Sequence, residues 1–138
     1  MRTWHFVIEG QPRSWKNSKR RTSWGGVIKS KAAAKWQETA TVQLAKQRAA
    51  YKMRRPLDGP LAIHLDVYQR GTDNDVDGDN VENGVLDVLK GLIIVDDNTR
   101  VLKGGCSWVP HIDRARPRVE ITVTPEAAER ATRRRGAA

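Results

Sequence analysis

The 138-residue sequence predicts an α+β fold: a small mixed β-sheet with two helices packed on one face, in the order β-α-β-α-β-β. Three observations support this prediction. Several segments alternate apolar and polar residues with the period of a strand, two longer segments carry apolar residues at helical spacing, and turn residues separate them. We assign residues 1–125 to one domain and residues 126–138 to a flexible basic C-terminal tail.

The predicted elements follow from local periodicity and from the residues that interrupt it. In chain order they are a strand at residues 3–8, a helix at 30–53, a strand at 61–69, a helix at 80–92, and strands at 100–109 and 118–124. The first helix is rich in alanine and begins at Ser30, which is a favourable N-cap residue. Its predicted buried stripe contains Ala33, Trp36, Ala40, Leu44 and Tyr51.

The second helix follows an acidic stretch at residues 73–79. Its predicted buried side contains Val81, Val85, Leu86, Leu89 and Leu92. Asp79 and Glu82 are three positions apart and match a capping box. Gly84 weakens such a helix by about 1 kcal/mol relative to alanine, and its small size permits the close approach of another backbone.

Charge is distributed unevenly along the chain, whose net charge is +9. Residues 1–55 hold 14 basic and 2 acidic residues, residues 56–99 hold 2 and 10, and residues 100–138 hold 9 and 4. A strongly basic protein favours a polyanionic partner, which an acidic island would repel. The island is explained if its carboxylates hold a divalent cation, and the alternative is a solvated acidic loop.

A basic segment at residues 10–26 connects the first strand to the first helix and is rich in Gly, Pro, Ser and Asn. Its cationic side chains include Arg13, Lys16, Lys19, Arg20 and Arg21. Trp15 and Trp24 lie among them. Because cations contact phosphates and aromatic rings stack on unpaired bases, we predict that this loop contacts nucleic acid.

The stretch DNDVDGDNVENG, residues 73–84, begins like a calcium loop because aspartates occupy alternate positions around Gly78. An EF-hand needs a bidentate glutamate at its twelfth position, where this sequence has Gly84. In addition, a predicted strand precedes Asp73, where an EF-hand has a helix. The sequence therefore argues against an EF-hand and leaves a magnesium site as the metal-binding alternative.

A second group of carboxylates follows the second helix. Asp77 and Asp79 lie at the start of that helix, whereas Asp96 and Asp97 lie in a turn beyond its end. A helix of 12 residues is about 18 Å long, so its two ends cannot both hold one ion through their own side chains. Either residues 92–95 return beside the helix as an extended segment, which their length makes feasible and which we expect, or the further ligands come from elsewhere. Gathered carboxylates suit Mg²⁺, which activates water and stabilises phosphate charge.

The stretch DGDNVENGVLDVLKGLIIVDD, residues 77–97, resembles the core of the RusA family of Holliday junction resolvases. That family's motif is an Asp-x-Asp-Asn run entering a helix, an Asp seven residues after the Asn, and a later Asp-Asp pair. The matching residues are Asp77, Asp79, Asn80, Asp87, Asp96 and Asp97. The order of elements over residues 4–124 also agrees, including the basic loop with Pro12 and Asn17.

The resemblance implies a homodimeric, Mg²⁺-dependent endonuclease that cuts four-way DNA junctions symmetrically in recombination and repair, with Mn²⁺ as a possible substitute ion. The catalytic metal ligands that it implies are Asp77, Asp79 and Asp97, with Asp96 as a further ligand. Asp75 competes with Asp77, because the DVD and DGD triplets both fit the motif. Asn80 fixes the register and favours Asp77 and Asp79.

One position departs from the family's motif. Members of the family carry a catalytic lysine three residues after the motif Asn, and this chain has Asn83 there. An amide stabilises a charged phosphate more weakly than an ammonium group does. Lys90, two turns further along the same face, is a candidate replacement, as are Lys16 and Lys19 of the basic loop. The alternative is a junction-binding protein of the same fold with weak or lost cleavage.

Other features exclude whole classes of protein. A single cysteine, Cys106, excludes an internal disulfide, and the absence of a neighbouring base signal predicts a structural role for it. No apolar run approaches the ~18 residues of a membrane span, and residues 1–10 lack the pattern of a signal peptide. We therefore expect a cytoplasmic protein without membrane contact, encoded by a bacterium or a phage.

Overall fold

A computed structural model describes residues 2–13, 20–21, 27–28, 31–73 and 75–126. The elements are β1 (Trp4–Glu9), β2 (Arg20–Arg21), β3 (Val27–Ile28), α1 (Lys31–Ala50), β4 (Leu61–Gln69), α2 (Gly78–Leu89), β5 (Gly105–Ile112) and β6 (Arg118–Pro125). The four longer strands form a mixed sheet in the order β1-β6-β4-β5, in which only β4 and β5 are parallel. The predicted α+β class and the order of the main elements are confirmed.

The sheet buries one face beneath the two helices. Along β4, alternate residues from Leu61 to Gln69 are buried, and the residues between them are half-buried. Phe6 and Ile8 of β1 continue the buried face. The helices supply the opposing apolar layer with Ala33, Trp36, Ala40, Leu44, Val81, Val85, Leu86, Val88 and Leu89. The predicted stripe of α1 is therefore buried apart from Tyr51, which follows the helix and is partly buried.

Two side chains of α1, and Tyr51 directly after it, also cover the outer edge of β1. Gln43, Gln47 and Tyr51 form hydrogen bonds with the backbone of Glu9, Val7 and His5, respectively. The Val7 N–H donates to Gln47 Oε1 at 2.7 Å, and Gln47 Nε2 donates to the Val7 carbonyl at 2.7 Å. Residues four apart lie on one face of a helix, so these side chains satisfy the strand edge as another strand would.

The bounds of α2 differ from the prediction. The helix begins at Gly78 with Asp77 as its N-cap, so the predicted capping box of Asp79 and Glu82 is wrong. The helix ends at Leu89 because the next residue is extended and Gly91 has a φ of 80°. A left-handed backbone conformation of this kind terminates helices, and glycine adopts it at little cost.

Three other predicted segments change or fall outside the described residues. The strand predicted at 100–109 begins only at Gly105, because residues 99–104 form turns. The predicted loop at 10–26 contains the short strand β2, which pairs with β3. Ser30 and residues 127–138 lie outside the described residues. Among the helices that the structure describes, none is long and apolar enough to span a membrane.

Candidate active site

The acidic stretch after β4 is held by the last residue of that strand. Gln69 is buried, and its side-chain amide forms two hydrogen bonds of 2.7 Å with the backbone of Val76. Gln11 Nε2 donates to Gln69 Oε1 at 2.9 Å. A buried amide that is hydrogen-bonded on both sides restrains the backbone that it contacts. Gln69 therefore fixes the path of the chain into α2.

Asp75 stabilises the same loop. Its Oδ2 accepts a hydrogen bond from the Gly71 N–H at 2.9 Å, and its Oδ1 accepts one from Gln11 Nε2 at 3.4 Å. Gly71 has a φ of 75°, a conformation that glycine adopts readily. These contacts give Asp75 a structural role and agree with the preference for Asp77 that the register set by Asn80 indicates.

Asp77 and Asp79 lie at the amino end of α2 with exposed side chains. The Asp77 carbonyl accepts hydrogen bonds of 3.0 Å from the N–H groups of Asn80 and Val81. The Asp77 carboxylate makes no capping hydrogen bond, so capping does not occupy it. The amino end of a helix carries a partial positive charge that attracts such carboxylates.

Trp108 of β5 packs against the start of α2 and orients Asp79. The indole Nε1 donates a hydrogen bond to Asp79 Oδ1 at 3.2 Å. Gly78 permits this packing, because a Cβ atom at that position would lie 2.3 Å from the Trp108 ring. No pattern in the sequence predicts this role for Trp108, since only the pairing of β5 beside β4 brings a residue so distant in sequence to the helix.

Glu82, which the sequence predicted as part of a capping box, lies near Asp79 and has an altered pKa. Burial, and then the charge of Asp79, raises the pKa of the Glu82 carboxyl above its usual value. Glu82 lies one turn beyond Asp79 on the helix, where side chains three apart are neighbours. Burial, and then the charge of Glu82, raises the pKa of the Cys106 thiol to about 12. That thiol stays protonated at neutral pH, in agreement with the predicted structural role.

The second pair of carboxylates lies beyond the opposite end of α2. The segment after the helix forms a tight turn, in which the Gly91 N–H donates to the Ile94 carbonyl at 2.7 Å. The expected extended return of residues 92–95 is therefore wrong. Lys90, the C-cap of α2, places its Nζ 3.4 Å from Asp97 Oδ1 and 4.0 Å from Asp96 Oδ1. Lys90 thus accompanies this pair and not Asp77 and Asp79.

Asp96 shapes the turn that presents Asp97. Its Oδ1 accepts a hydrogen bond from the Asp97 N–H at 2.8 Å, and its Oδ2 accepts one from Asn98 Nδ2 at 3.1 Å. These hydrogen bonds, with the Asp97 N–H as the largest cause, lower the pKa of the Asp96 carboxyl. Asp96 has partners within its own turn, whereas the Asp97 carboxylate faces Lys90. The contacts favour Asp97 over Asp96 as a ligand.

Four carboxylates of the motif therefore form two separate pairs within one chain, Asp77 with Asp79 and Asp96 with Asp97. The 12 residues of α2 span about 18 Å between them. In the part of the chain that the structure describes, no group of three or more His, Cys, Asp or Glu side chains could hold a metal ion. Carboxylate oxygens are the ligand type that Mg²⁺ prefers, but each end of α2 supplies only part of such a set.

The remaining predicted motif and DNA-binding residues lie partly on α2 and partly near β1 and β2. Asn83 and Asp87 are exposed on α2, and Asn80 is half-buried near its start. Arg13 is half-buried and follows β1. Arg20 and Arg21 form β2, while Lys16 and Lys19 lie outside the described residues.

The chain combines a net charge of +9, which favours a polyanionic partner, with carboxylates exposed at the start of a helix. The family model for the endodeoxyribonuclease RusA matches residues 9–124, and the chain belongs to this family. The family consists of junction-resolving endonucleases, which generally depend on a divalent metal ion. A search of curated proteins finds no match. The resemblance inferred from the sequence is confirmed.

The two glycines of α2 are expected to respond oppositely to alanine. Gly78→Ala should lower the free energy of unfolding by about 1–3 kcal/mol, because the new methyl group displaces Trp108. Gly84→Ala should raise it by up to about 1 kcal/mol, since its Cβ would meet the Arg13 carbonyl at an ordinary 3.6 Å. Urea unfolding of both variants measures the difference. A Gly78→Ala protein as stable as the wild type would contradict the described packing of Trp108.

Proposed function

We propose that this protein is a Mg²⁺-dependent homodimeric endonuclease that resolves four-way DNA junctions by paired cuts. The observation that carries the proposal is the placement of Asp77 and Asp79, exposed at the amino end of α2 in a chain of the RusA family. A junction has two equivalent strands to cut, so a two-fold symmetric enzyme with two sites matches the substrate.

The separation of the carboxylates supports a site that two chains share. Asp97 lies too far along the chain's own α2 to join Asp77 and Asp79, but a second copy is not subject to that limit. In a two-fold dimer, every contact between two residues occurs twice. We therefore propose that Asp97 of the partner subunit completes each site and that the dimer contains two such sites.

In this arrangement, Asp77, Asp79 and Asp97 of the partner subunit would hold the ion, and Asp96 would shape the turn that presents Asp97. When bound, Mg²⁺ supplies an activated water and stabilises negative charge on the phosphate. Trp108 orients Asp79 through its 3.2 Å hydrogen bond. The donor set consists of hard oxygens, which suits Mg²⁺ and also Mn²⁺.

In a shared site, Lys90 would stabilise negative charge on the phosphate. It lies 3.4 Å from Asp97 within its own chain, so it would enter the neighbouring protomer's site together with that carboxylate. An ammonium group close to the reacting phosphate stabilises the charge that develops there. Lys90 would thereby replace the family's lysine, whose position is taken by Asn83 in this chain.

A second candidate function is junction binding with weak or lost cleavage. The observation in its favour is Asn83, an exposed amide on α2 where the family carries its lysine. Both candidates predict binding to branched DNA, and they differ in whether the phosphodiester is cut.

A cleavage assay on two substrates distinguishes these candidates. A synthetic four-way junction and a linear duplex of matching sequence are incubated with the wild-type protein in Mg²⁺ and in EDTA. We expect paired cuts in the junction in Mg²⁺, and none in EDTA or with Asp79→Asn. The control Asp73→Asn, which changes an exposed aspartate earlier in the acidic stretch, should retain cutting.

Tight junction binding by the wild type without cuts would support the second candidate. Equal, weak binding to both DNAs without any cutting would contradict both.

A further inference from the structure

A cleft of about 550 Å³ opens between the segment after β1, the first turns of α1 and the residue that follows β4. Its lining includes Glu9, Gln11, Arg13, Lys35, Trp36 and Arg70. The three cations come from three separate segments of the chain, so the fold and not a local charge run brings them together.

The cleft has an uncompensated positive charge. Among the described residues that line it, the one acidic side chain is Glu9, which accepts a hydrogen bond at 2.6 Å from Arg116 Nε through its Oε1. Within the described part of the chain, Arg13, Lys35 and Arg70 form no salt bridge. Three cations that share one cleft repel one another, and an anion placed among them relieves this repulsion.

The same cleft is lined by two residues with unused hydrogen-bonding atoms. Trp36 is 7% exposed, and its indole Nε1 has no hydrogen-bond partner among the described residues. The side-chain oxygen of Gln11 is likewise buried without a partner. A buried donor left unsatisfied costs about 1–3 kcal/mol, so such groups are rare in proteins and often serve a ligand. The Trp36 N–H is thus a donor without a described partner in a side chain that lines the cleft.

The cleft adjoins the acidic loop of the candidate active site. Gln11 lines the cleft and also donates hydrogen bonds to Gln69 Oε1 and Asp75 Oδ1, the two residues that hold this loop. On the other side, Gly84 of α2 lies next to both the Arg13 carbonyl and the Trp36 ring. A DNA strand that occupies the cleft would therefore pass close to Asp77 and Asp79.

We propose that this cleft binds a backbone phosphate of the DNA near the strand that is cut, with Arg13, Lys35, Arg70 and the Trp36 N–H as its donors. The proposal rests on the proposed function, because it takes DNA as the substrate. It extends the DNA interface, which the sequence predicts in the loop at residues 10–26, onto α1 and the end of β4.

Charge-matched variants test the proposal. Lys35→Gln combined with Arg70→Gln should weaken junction binding several-fold and make the log–log salt dependence shallower by about two. The control protein carries Lys103→Gln and Arg54→Gln, which also remove one lysine and one arginine. These residues lie near the opposite ends of β4 and α1, so the affinity and the salt slope should not change. Fluorescence anisotropy at several salt concentrations, with labelled junction and with inorganic phosphate as competitor, provides the readout.

The proposal would be overturned if the protein with Lys35→Gln and Arg70→Gln bound the junction with the wild-type affinity and salt slope. An equal loss of affinity in the control protein would also overturn it. Competition by millimolar inorganic phosphate alone, without any effect of the two variants, would also overturn it. Cutting by the wild type is measured in the same experiment. If the wild type binds the junction but does not cut it, the proposed cleavage function is contradicted. The affinities of the variants still test whether the cleft binds DNA.

Trp36→Phe tests the indole separately. Phenylalanine keeps most of the buried ring and removes the N–H, which has no partner to lose within the described structure. The smaller ring leaves a cavity and should lower the melting temperature, so binding is measured well below the melting transition, where we expect weaker junction binding. Wild-type affinity in this variant would overturn the assignment of the indole.

Discussion

Co-expression of an Asp79→Asn chain with an Asp97→Asn chain is expected to yield a heterodimer that nicks four-way junctions, although each variant alone is inactive. If Asp97 of one chain completes the site of the other, the heterodimer contains one site with both substitutions and one site with neither. The intact site should nick the junction at about half the wild-type rate of strand cutting. Chains with different affinity tags allow the heterodimer to be purified before the assay.

The result separates a shared site from a site within one chain. If each site lies within one chain, each protomer of the heterodimer carries one substitution in its own site, and the heterodimer does not nick the junction. A dimer of two differently tagged Asp79→Asn chains is the matched control, and it should remain inactive because both of its sites lack Asp79.

The second large effect is expected at Lys90. Lys90→Met should lower the rate of junction cutting by about 10²–10³-fold, because it removes the ammonium group that would accompany Asp97 into the proposed shared site. Adding Asn83→Lys to that variant should recover much of the lost rate, since this restores the family's lysine on an exposed position of α2. Single-turnover cleavage of a labelled junction measures both changes.

Two controls accompany this prediction. Lys103→Met removes an exposed lysine in the turn before β5 and should cut at the wild-type rate. Asn83→Met in the Lys90→Met protein supplies a long side chain without charge and should recover nothing. An unaffected Lys90→Met protein would remove Lys90 from the chemistry.

Periodicity was sufficient to predict the main elements of the fold. The alternation along β4 and the apolar sides of both helices have the burial that their sequence patterns predict. Element ends were harder to predict, because they depend on backbone conformation and tertiary contacts. Gly91 ends α2 by adopting a positive φ, and residues 99–104 turn where an apolar pattern suggested a strand.

The candidate site was predictable only in part, for a similar reason. Motif spacing predicted Asp77, Asp79 and Asp97 as ligands, but their relative positions depend on a turn between Leu89 and Ile94 that the pattern did not reveal. The positions of Trp108 and of the cleft at Lys35 depend on which strands and helices are neighbours. Such contacts join residues that are distant in sequence and leave no local signal.

Metal binding by the same set of dimers tests the shared site most directly. Bound Mn²⁺ can be counted by electron paramagnetic resonance for the wild type, for the Asp79→Asn and Asp97→Asn homodimers, and for their purified heterodimer. A shared site predicts that both homodimers lose tight binding and that the heterodimer retains half of the wild-type ions. A heterodimer that binds no more Mn²⁺ than either homodimer would contradict a site built from two chains.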